Sequence, residues 1–267
     1  MKTKKILAIL LALALIFALA ACGGGDEPAD TAGDGGDGGE LPTYIVATEP
    51  TFPPFETTTE DGEIIGFDMD LISAIGEDQG FQVEFKSFEF DALMLATNNG
   101  DADIIAAAFN AMDPARQAQV DFSNTYYDSG LVVLVKENNE TINSIDDLTA
   151  DMKVASQIAT TGGDKADELA EAGQIKEAVI LISFSTAGLQ LINGDVDAVI
   201  IDQPVAKDYL KKQPDKVKIV GDVLNAESYG FAVKKGNTEL LDKINAGLQN
   251  MIDNGTYDDL YDKWMNE

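Results

Sequence analysis

From residue 41 onward, short runs rich in β-branched and aromatic residues alternate with longer stretches whose apolar side chains recur at helical spacing. The first pattern predicts strands, and the second predicts helices packed by one face. The predicted strands cover 44–48, 83–88, 102–108, 131–135, 153–156, 179–183, 198–202 and 229–233. The predicted helices cover 68–79, 92–99, 164–172, 186–193, 204–212, 238–254 and 257–265. This alternation predicts an α/β fold with parallel strands.

Local signals mark several helix ends. Asp91 is placed to cap the helix at 92–99, and Gly100 and Gly194 are placed to end helices. Asp113-Pro114 predicts the start of a further short helix. No internal repeat and no second linker interrupts these elements, so we expect one body large enough for two small lobes.

The N-terminal 22 residues have the features of an export signal. Three lysines precede an apolar stretch at 6–18, which is too short for a membrane span. Leu-Ala-Ala-Cys at 19–22 resembles the lipobox of bacterial lipoproteins, in which the cysteine is lipidated and becomes the new N-terminus. Cys22 is the only cysteine, so it has no partner for an internal disulfide. We expect Cys22 to be lipidated; the alternative is an ordinary secretory peptide with a chance cysteine.

Residues 23–40 differ sharply from the rest of the chain. They contain eight glycines, six acids and no large apolar side chain. Such a segment buries too little surface to offset the entropy of ordering, so it predicts a flexible tether. A Gly-rich coil of this length spans roughly 25 Å.

Composition excludes several function classes. The chain has 18 basic and 47 acidic residues, and removal of 1–22 moves its formal charge from −29 to −32. Nucleic acid and an anionic membrane surface are therefore poor partners. Histidine is absent, which excludes Ser-His-Asp and Cys-His catalysis and removes the commonest metal ligand. We expect no metal site and no cofactor.

Arg116 is the only arginine of a chain that has 17 lysines. A guanidinium is a planar fork that holds a carboxylate through two parallel hydrogen bonds, which lysine cannot do. Its isolation suggests a carboxylate clamp. A surface or lobe-bridging arginine is the alternative.

Five linked motifs resemble the polar amino-acid-binding proteins of ABC importers. They are TEPTFPPFE at 48–56, GFDMDL at 66–71, FDAL at 90–93, VDFS at 120–123 with Tyr126-Tyr127, and VDAV at 196–199 leading to Asp202. The match covers about 43–265 in the order and spacing of that family. It implies the two-lobed, type II-like periplasmic-binding-protein fold with two hinge crossovers and the ligand in the interlobe cleft. Lobe 1 is then 43–127 plus 229–267, and lobe 2 is 128–228.

The resemblance also implies which residues bind the ligand. Arg116 holds the α-carboxylate, assisted by donors around Asn110. Asp202, at the end of its strand, receives the α-ammonium; its alternative role is to cap the helix at Pro204.

The remaining positions surround the ligand's side chain or assist at its carboxylate. Phe52 and Phe90 stack on the ligand side chain, with core packing as their alternative. Glu49 faces the far end of the ligand or its ammonium, or is a solvated strand-end acid. Thr160 and Thr161 belong to a turn that joins the carboxylate site, or to an ordinary helix-entry loop.

Two departures from the family pattern affect this site. The segment between Gly100 and Arg116 is one residue longer, which suggests a bulged carboxylate-binding loop that places Asn110 six residues and Ala111 five residues before the arginine. Ala159 stands where the family often has glycine, so its backbone is expected to approach the ligand less closely.

The predicted function is an extracytoplasmic lipoprotein, lipid-anchored to the bacterial cell membrane, that delivers a polar amino acid to the membrane subunits of an ABC permease. We expect a monomer and not an enzyme. Glu49 with the two rings favours a neutral polar or basic ligand. One alternative is a dehydratase or lyase of the same fold, with Glu49 or Asp202 as acid or base. Another is an amino-acid sensor lipoprotein.

Overall fold

A computed structural model describes residues 41–266. The predicted export signal at 1–22 with Cys22, and the predicted tether at 23–40, lie outside the described residues. None of the helices described is long and apolar enough to cross a membrane.

The structure contains short strands and helices in close alternation. The strands are β1 (Thr43–Thr48), β2 (Thr51–Phe52), β3 (Glu56–Thr58), β4 (Ile64–Ile65), β5 (Gln82–Ser87), β6 (Ile104–Ile105), β7 (Val120–Phe122), β8 (Tyr127–Ser129), β9 (Leu131–Lys136), β10 (Lys153–Gln157), β11 (Glu177–Leu181), β12 (Ala198–Asp202), β13 (Val217–Val220), β14 (Glu227–Tyr229) and β15 (Ala232–Lys234). The α-helices are α1 (Phe67–Gln79), α2 (Leu93–Asn99), α3 (Pro114–Gln117), α4 (Thr161–Glu171), α5 (Phe184–Asn193), α6 (Gln203–Lys212), α7 (Thr238–Asp253) and α8 (Thr256–Tyr261). Phe90–Ala92 and Ile145–Asp147 form 3-10 turns, and Asp262–Asn266 form a π turn.

Two five-stranded sheets form the framework, in the orders β5-β1-β6-β15-β7 and β11-β10-β12-β9-β13. β1 is parallel to both of its neighbours, and so is β10. The parallel strands predicted from the α/β pattern are present around β1 and β10, whereas β15 and β9 run antiparallel to their neighbours. Each of these two strands follows a segment by which the chain has just passed from one sheet to the other.

A two-stranded ribbon connects the two sheets. β8 pairs antiparallel with β14, in a register that places Ser129 opposite Glu227 and Tyr127 opposite Tyr229. The chain leaves the first sheet through β8 and returns through β14. These are two crossovers, as expected. The lobe limits at 127/128 and 228/229 stay a prediction.

Helix α1 is anchored by its ends and by one apolar face. Gly66 precedes it with a φ of 149°, and a Cβ atom there would lie 1.9 Å from the carbonyl oxygen of Phe55, so only glycine fits. Gly80 ends the helix in a left-handed conformation. Phe67 and Ile75 are fully buried in the core between this helix and α7.

Most predicted elements are present, with ends that differ by at most three residues, except that α8 ends at Tyr261, four residues before the predicted end at 265. Three predictions need correction. Asp91 is not a helix cap, because it lies inside the 3-10 turn that precedes α2. The strand predicted at 102–108 is reduced to β6, since the chain leaves the sheet toward Ala108, whose φ is 44°. The strand predicted at 229–233 is divided between β14 in the ribbon and β15 in the first sheet.

Candidate functional site

One narrow cavity lies where strands of both sheets end. Seven of the eight predicted ligand-binding residues line it, and Glu49 does not. Its lining consists of Phe52, Phe90, Ala107, Ala108, Asn110, Arg116, Gln157, Thr160, Thr161, Phe184, Asp202 and Glu227. Its volume is about 20 Å³, room for little more than one water molecule, so its walls lie close together. The carboxyl ends of strands in open α/β sheets are the usual place for ligands.

Arg116 is positioned by the short helix α3, which begins as the sequence predicts. The carboxylate of Asp113 caps this helix by accepting a hydrogen bond from the backbone N–H of Ala115 at 2.8 Å. The same carboxylate lies 3.3 Å from Nε of Arg116. Arg116 is only 4% exposed. Its contact with Asp113 fixes the direction in which its side chain enters the cavity.

Two aromatic rings and one carbonyl hold the guanidinium of Arg116. Its central carbon lies 4.3 Å from the ring centre of Phe109 and 5.3 Å from that of Phe90, distances typical of cation–π contacts. Nη2 donates to the carbonyl oxygen of Ala159 at 3.0 Å. This last bond is the bridging contact of the alternative interpretation, and it occupies one of five N–H donors.

Ala159, in the turn after β10, has a φ of 58°, the left-handed conformation that glycine adopts without strain. Its carbonyl faces Arg116. Ala159 thus holds a backbone conformation that favours glycine, the residue that the family pattern often has at this position.

Asp202 ends β12 and is 6% exposed. Its carboxylate makes no capping hydrogen bond to α6, so the capping role is not seen. Instead, Oδ1 accepts a hydrogen bond from the hydroxyl of Tyr229 at 2.6 Å. Burial, and then the charge of Glu227, raise the pKa of Asp202 well above its usual value.

The predicted aromatic residues form two separate groups. Phe52 is buried, and its ring centre lies 5.3 Å from that of Phe184. Phe184 belongs to α5, which packs against the second sheet. Phe90 is half-buried and packs edge-on against Phe109. Phe55 is fully buried in the core and does not line the cavity.

Glu49 lies next to the cavity and is not solvated, since it is 5% exposed. Its carboxylate accepts hydrogen bonds from the hydroxyl of Thr51 at 2.7 and 2.9 Å and from Nε2 of Gln157 at 3.3 Å. Burial raises the pKa of Glu49. Because Gln157 belongs to the second sheet, this bond also joins the two halves of the cleft.

The side-chain oxygen of Asn110 is occupied by the backbone. It accepts hydrogen bonds from the N–H groups of Met112 at 3.0 Å and Ser228 at 3.4 Å. This fixes the loop that precedes Arg116. The loop also contains Ala108 in a left-handed conformation, with a φ of 44°, and the extra residue expected in this loop stays a prediction.

Thr160 and Thr161 form the entry to α4. The hydroxyl of Thr160 accepts from the N–H of Gly163 at 3.0 Å and donates to the carbonyl of Gln157 at 2.8 Å. These bonds agree with the helix-entry interpretation for Thr160, although both threonines line the cavity.

Three buried carboxylic acids near the cavity were not predicted. Each of Glu56, Asp68 and Glu227 has one buried oxygen without a hydrogen-bond donor among the described residues. Glu56 and Asp68 lie within the family motifs, which was the only available signal, and Glu227 precedes a predicted strand. Burial raises the pKa of Glu56 well above its usual value, and the negative charge of Asp68 raises it further.

Acidic side chains therefore outnumber basic ones among the buried residues that the structure describes. The fully or nearly buried residues that the structure describes include five acids, Glu49, Glu56, Asp68, Asp202 and Glu227, but a single cation, Arg116. Burial lowers the pKa of Arg116, while the neighbouring acids oppose that change. Such an excess of acid favours a ligand that brings positive charge.

The described residues form no cluster of metal ligands. Within residues 41–266 no group of three or more potential ligands among His, Cys, Asp and Glu is arranged to hold a metal ion.

Comparison with known proteins gives a consistent match. The sequence model of the bacterial extracellular solute-binding proteins, family 3, matches residues 44–267. A protein of Neisseria gonorrhoeae described as a probable histidine-binding protein is 34% identical over 269 residues, which cover 99% of this chain and 96% of the relative.

Solved structures show the same likeness. An ancestral arginine-binding protein bound to arginine has a TM-score of 0.79 and 41% identity, over 83% of this chain and 97% of that chain. The substrate-binding protein of an amino-acid ABC transporter has a TM-score of 0.76 and 36% identity, over 84% and 100%. An ancestral amino-acid-binding protein described as a precursor of cyclohexadienyl dehydratase has a TM-score of 0.75 and 35% identity, over 84% and 95%. The predicted two-lobed fold is confirmed.

Asp68 generates a testable pH dependence. Its Oδ2 accepts from the N–H of Ala108 at 2.8 Å and from the hydroxyl of Tyr126 at 2.7 Å, but burial raises its pKa from 3.8 to about 7. The folded state therefore holds a proton that the unfolded state releases at lower pH. Stability should fall as pH rises between these values, by up to about 4 kcal/mol from this group.

The measurement is the free energy of unfolding in urea between about pH 4 and pH 8. Asp68→Asn keeps an oxygen that accepts both hydrogen bonds, so it should flatten the decline. The exposed Asp61→Asn should leave the decline unchanged. Equal slopes for Asp68→Asn and the wild type would show that Asp68 is ionised in the folded protein at low pH.

Proposed function

This chain belongs to the bacterial extracellular solute-binding proteins of family 3, and we propose that the solute it captures is an amino acid with a cationic side chain. Its role is to bind an amino acid for an ABC-type permease. The observation that carries the finer proposal is the placement of Arg116 and a set of buried acids around one cavity.

Arg116 is proposed to bind the α-carboxylate. Its guanidinium is buried and oriented by two rings, so two parallel hydrogen bonds to a carboxylate would form without further ordering of the side chain. The bond to the carbonyl of Ala159 would be exchanged for the ligand when the cleft opens.

Asp202 is proposed to receive the α-ammonium. It lines the same cavity as Arg116 but comes from the other sheet, so an amino acid between them would contact both halves of the protein. Such a ligand stabilises the closed arrangement, because only that arrangement offers both partners at once.

The side chain of the ligand is proposed to extend toward the pair Glu49 and Gln157, past the rings of Phe52 and Phe184. A second acidic group there would meet a buried carboxylate, whereas a guanidinium or imidazolium would be attracted to it. The relatives described as histidine- and arginine-binding support this choice.

A binding protein is favoured over an enzyme. One matched structure is described as the precursor of a dehydratase, so the enzyme alternative shares this fold. That precursor is itself described as an amino-acid-binding protein. The buried acids of the cavity already have a role as partners of a cationic ligand.

The proposal also covers how the protein is attached to the cell membrane. We propose that Cys22 carries the lipid that anchors the protein to the cell membrane, and that 23–40 separates the anchor from a monomeric body. The support is the Leu-Ala-Ala-Cys sequence followed by a segment without large apolar side chains.

The ligand proposal is tested by thermal unfolding of residues 41–267 after removal of any bound ligand. L-arginine at a hundredfold excess over its dissociation constant stabilises the folded state by about 2.7 kcal/mol. For a body of this size the melting temperature should rise by roughly 5–10 °C. L-glutamate should cause no rise. A larger rise with L-glutamate would refute the charge argument, and no rise with any amino acid would refute the function.

The anchor is tested by Cys22→Ser in the full chain expressed in a bacterium. The variant should leave the membrane fraction and appear in the soluble extracytoplasmic fraction, because a thioether-linked lipid requires the cysteine. Its binding of L-arginine should equal that of the wild type. Retention of Cys22→Ser in the membrane fraction would place the anchor elsewhere.

A further inference from the structure

Two carboxylic acids, Asp202 and Glu227, share one wall of the cavity. They come from different elements, the end of β12 and the start of the ribbon strand β14. They are 6% and 2% exposed, so neither is hydrated as a free surface carboxylate would be. Glu227 has no role in the binding scheme described so far.

One oxygen atom of this pair has no hydrogen-bond donor among the described residues. Asp202 accepts from Tyr229, and Oε1 of Glu227 accepts from Nδ2 of Asn225 at 3.0 Å. Oε2 of Glu227 is buried and has no donor among the described residues. Tyr229, whose hydroxyl is bonded to Asp202, lies two residues after Glu227 on β14, so the two side chains leave the strand on the same face and bring Glu227 to Asp202 at one cavity. A hydrogen bond between two carboxyl groups requires a proton on one of them.

The surrounding charges do not remove this requirement. Arg116 is the one cation facing the pair among the described residues, and it also faces Asp113 and Asp164. Glu56 adds a further negative group beside Asp202. Two buried carboxylates that face each other repel. Such a pair therefore keeps one proton at a pH at which an isolated acid is already ionised.

We propose that Asp202 and Glu227 share one proton in the absence of ligand and that the ligand's cationic group displaces it on binding. The shared proton passes to the buffer, both groups become carboxylates, and the O–H bond is replaced by N–H bonds from the ligand. Glu227 is then a second ligand-binding acid. This inference rests on the proposed function.

Burial supports this assignment, because it raises the pKa of Asp202 above that of a free aspartate. A ligand cation beside Asp202 stabilises its charged form and lowers its pKa. At a pH between the higher pKa of the free protein and the lower pKa of the complex, binding therefore releases a proton. Affinity should therefore weaken as pH falls, by as much as about tenfold per pH unit below the pKa of the free pair.

The test is titration calorimetry of the wild type with L-arginine at about pH 6, where the ligand's α-ammonium is fully charged. The observed heat is measured in several buffers of different ionisation enthalpy, because its slope gives the number of protons released. The wild type should release about one proton. Glu227→Gln removes the acid partner of Asp202 while burial still raises the pKa of Asp202, so its release should fall clearly below that of the wild type and its affinity should depend less on pH.

Two further variants make the outcome specific. The exposed Glu140→Gln should behave as the wild type. Glu56→Gln removes another buried acid of raised pKa and should keep most of the release. Melting of each variant checks that it is folded.

The wild-type measurement decides the question even if Glu227→Gln does not fold, since binding without proton release overturns the inference. Release in Glu227→Gln that equals that of the wild type, or release that disappears in Glu56→Gln, also overturns it. In these cases the proposed function survives. Absence of any binding of L-arginine contradicts the proposed function itself.

Discussion

A single buried guanidinium lies among five buried carboxylic acids at the junction of two sheets, and the cost of burying these charges shapes the surrounding structure. Each charge removed from water must find partners, since an uncompensated buried ion is strongly destabilising. Arg116 is held by Phe109, Asp113 and the carbonyl of Ala159. The acids have too few such partners, and their excess defines what the cleft can bind.

The same interactions connect the site to the crossovers between the sheets. Tyr229 belongs to the ribbon strand β14, and its hydroxyl is bonded to Asp202 of the second sheet. Glu227 begins the same strand. A change of charge at Asp202 is therefore felt directly by the segment about which the two halves would move. Ligand binding and closure depend on one set of contacts.

Much of the fold could be predicted from the sequence, because long elements such as α1 and α7 repeat their apolar pattern over several turns. Short strands such as β8 and β14 carry no such pattern, and their pairing depends on residues a hundred positions away. Arg116 could be singled out by its uniqueness. Glu227 could not, since the burial of a polar side chain is decided by the packing of distant segments and leaves no local signal.

Recognition of the ligand's carboxylate by Arg116 is the central claim, and a double-mutant cycle tests it most directly. The affinities of L-arginine and of its C-terminal amide are compared on the wild type, Arg116→Ala and Arg116→Lys. The wild type should reject the amide strongly, by roughly 2–5 kcal/mol, and Arg116→Ala should barely distinguish the two ligands. Arg116→Lys should recover only part of the discrimination, because the charge returns without the planar fork. Equal discrimination by the wild type and Arg116→Ala would contradict the claim.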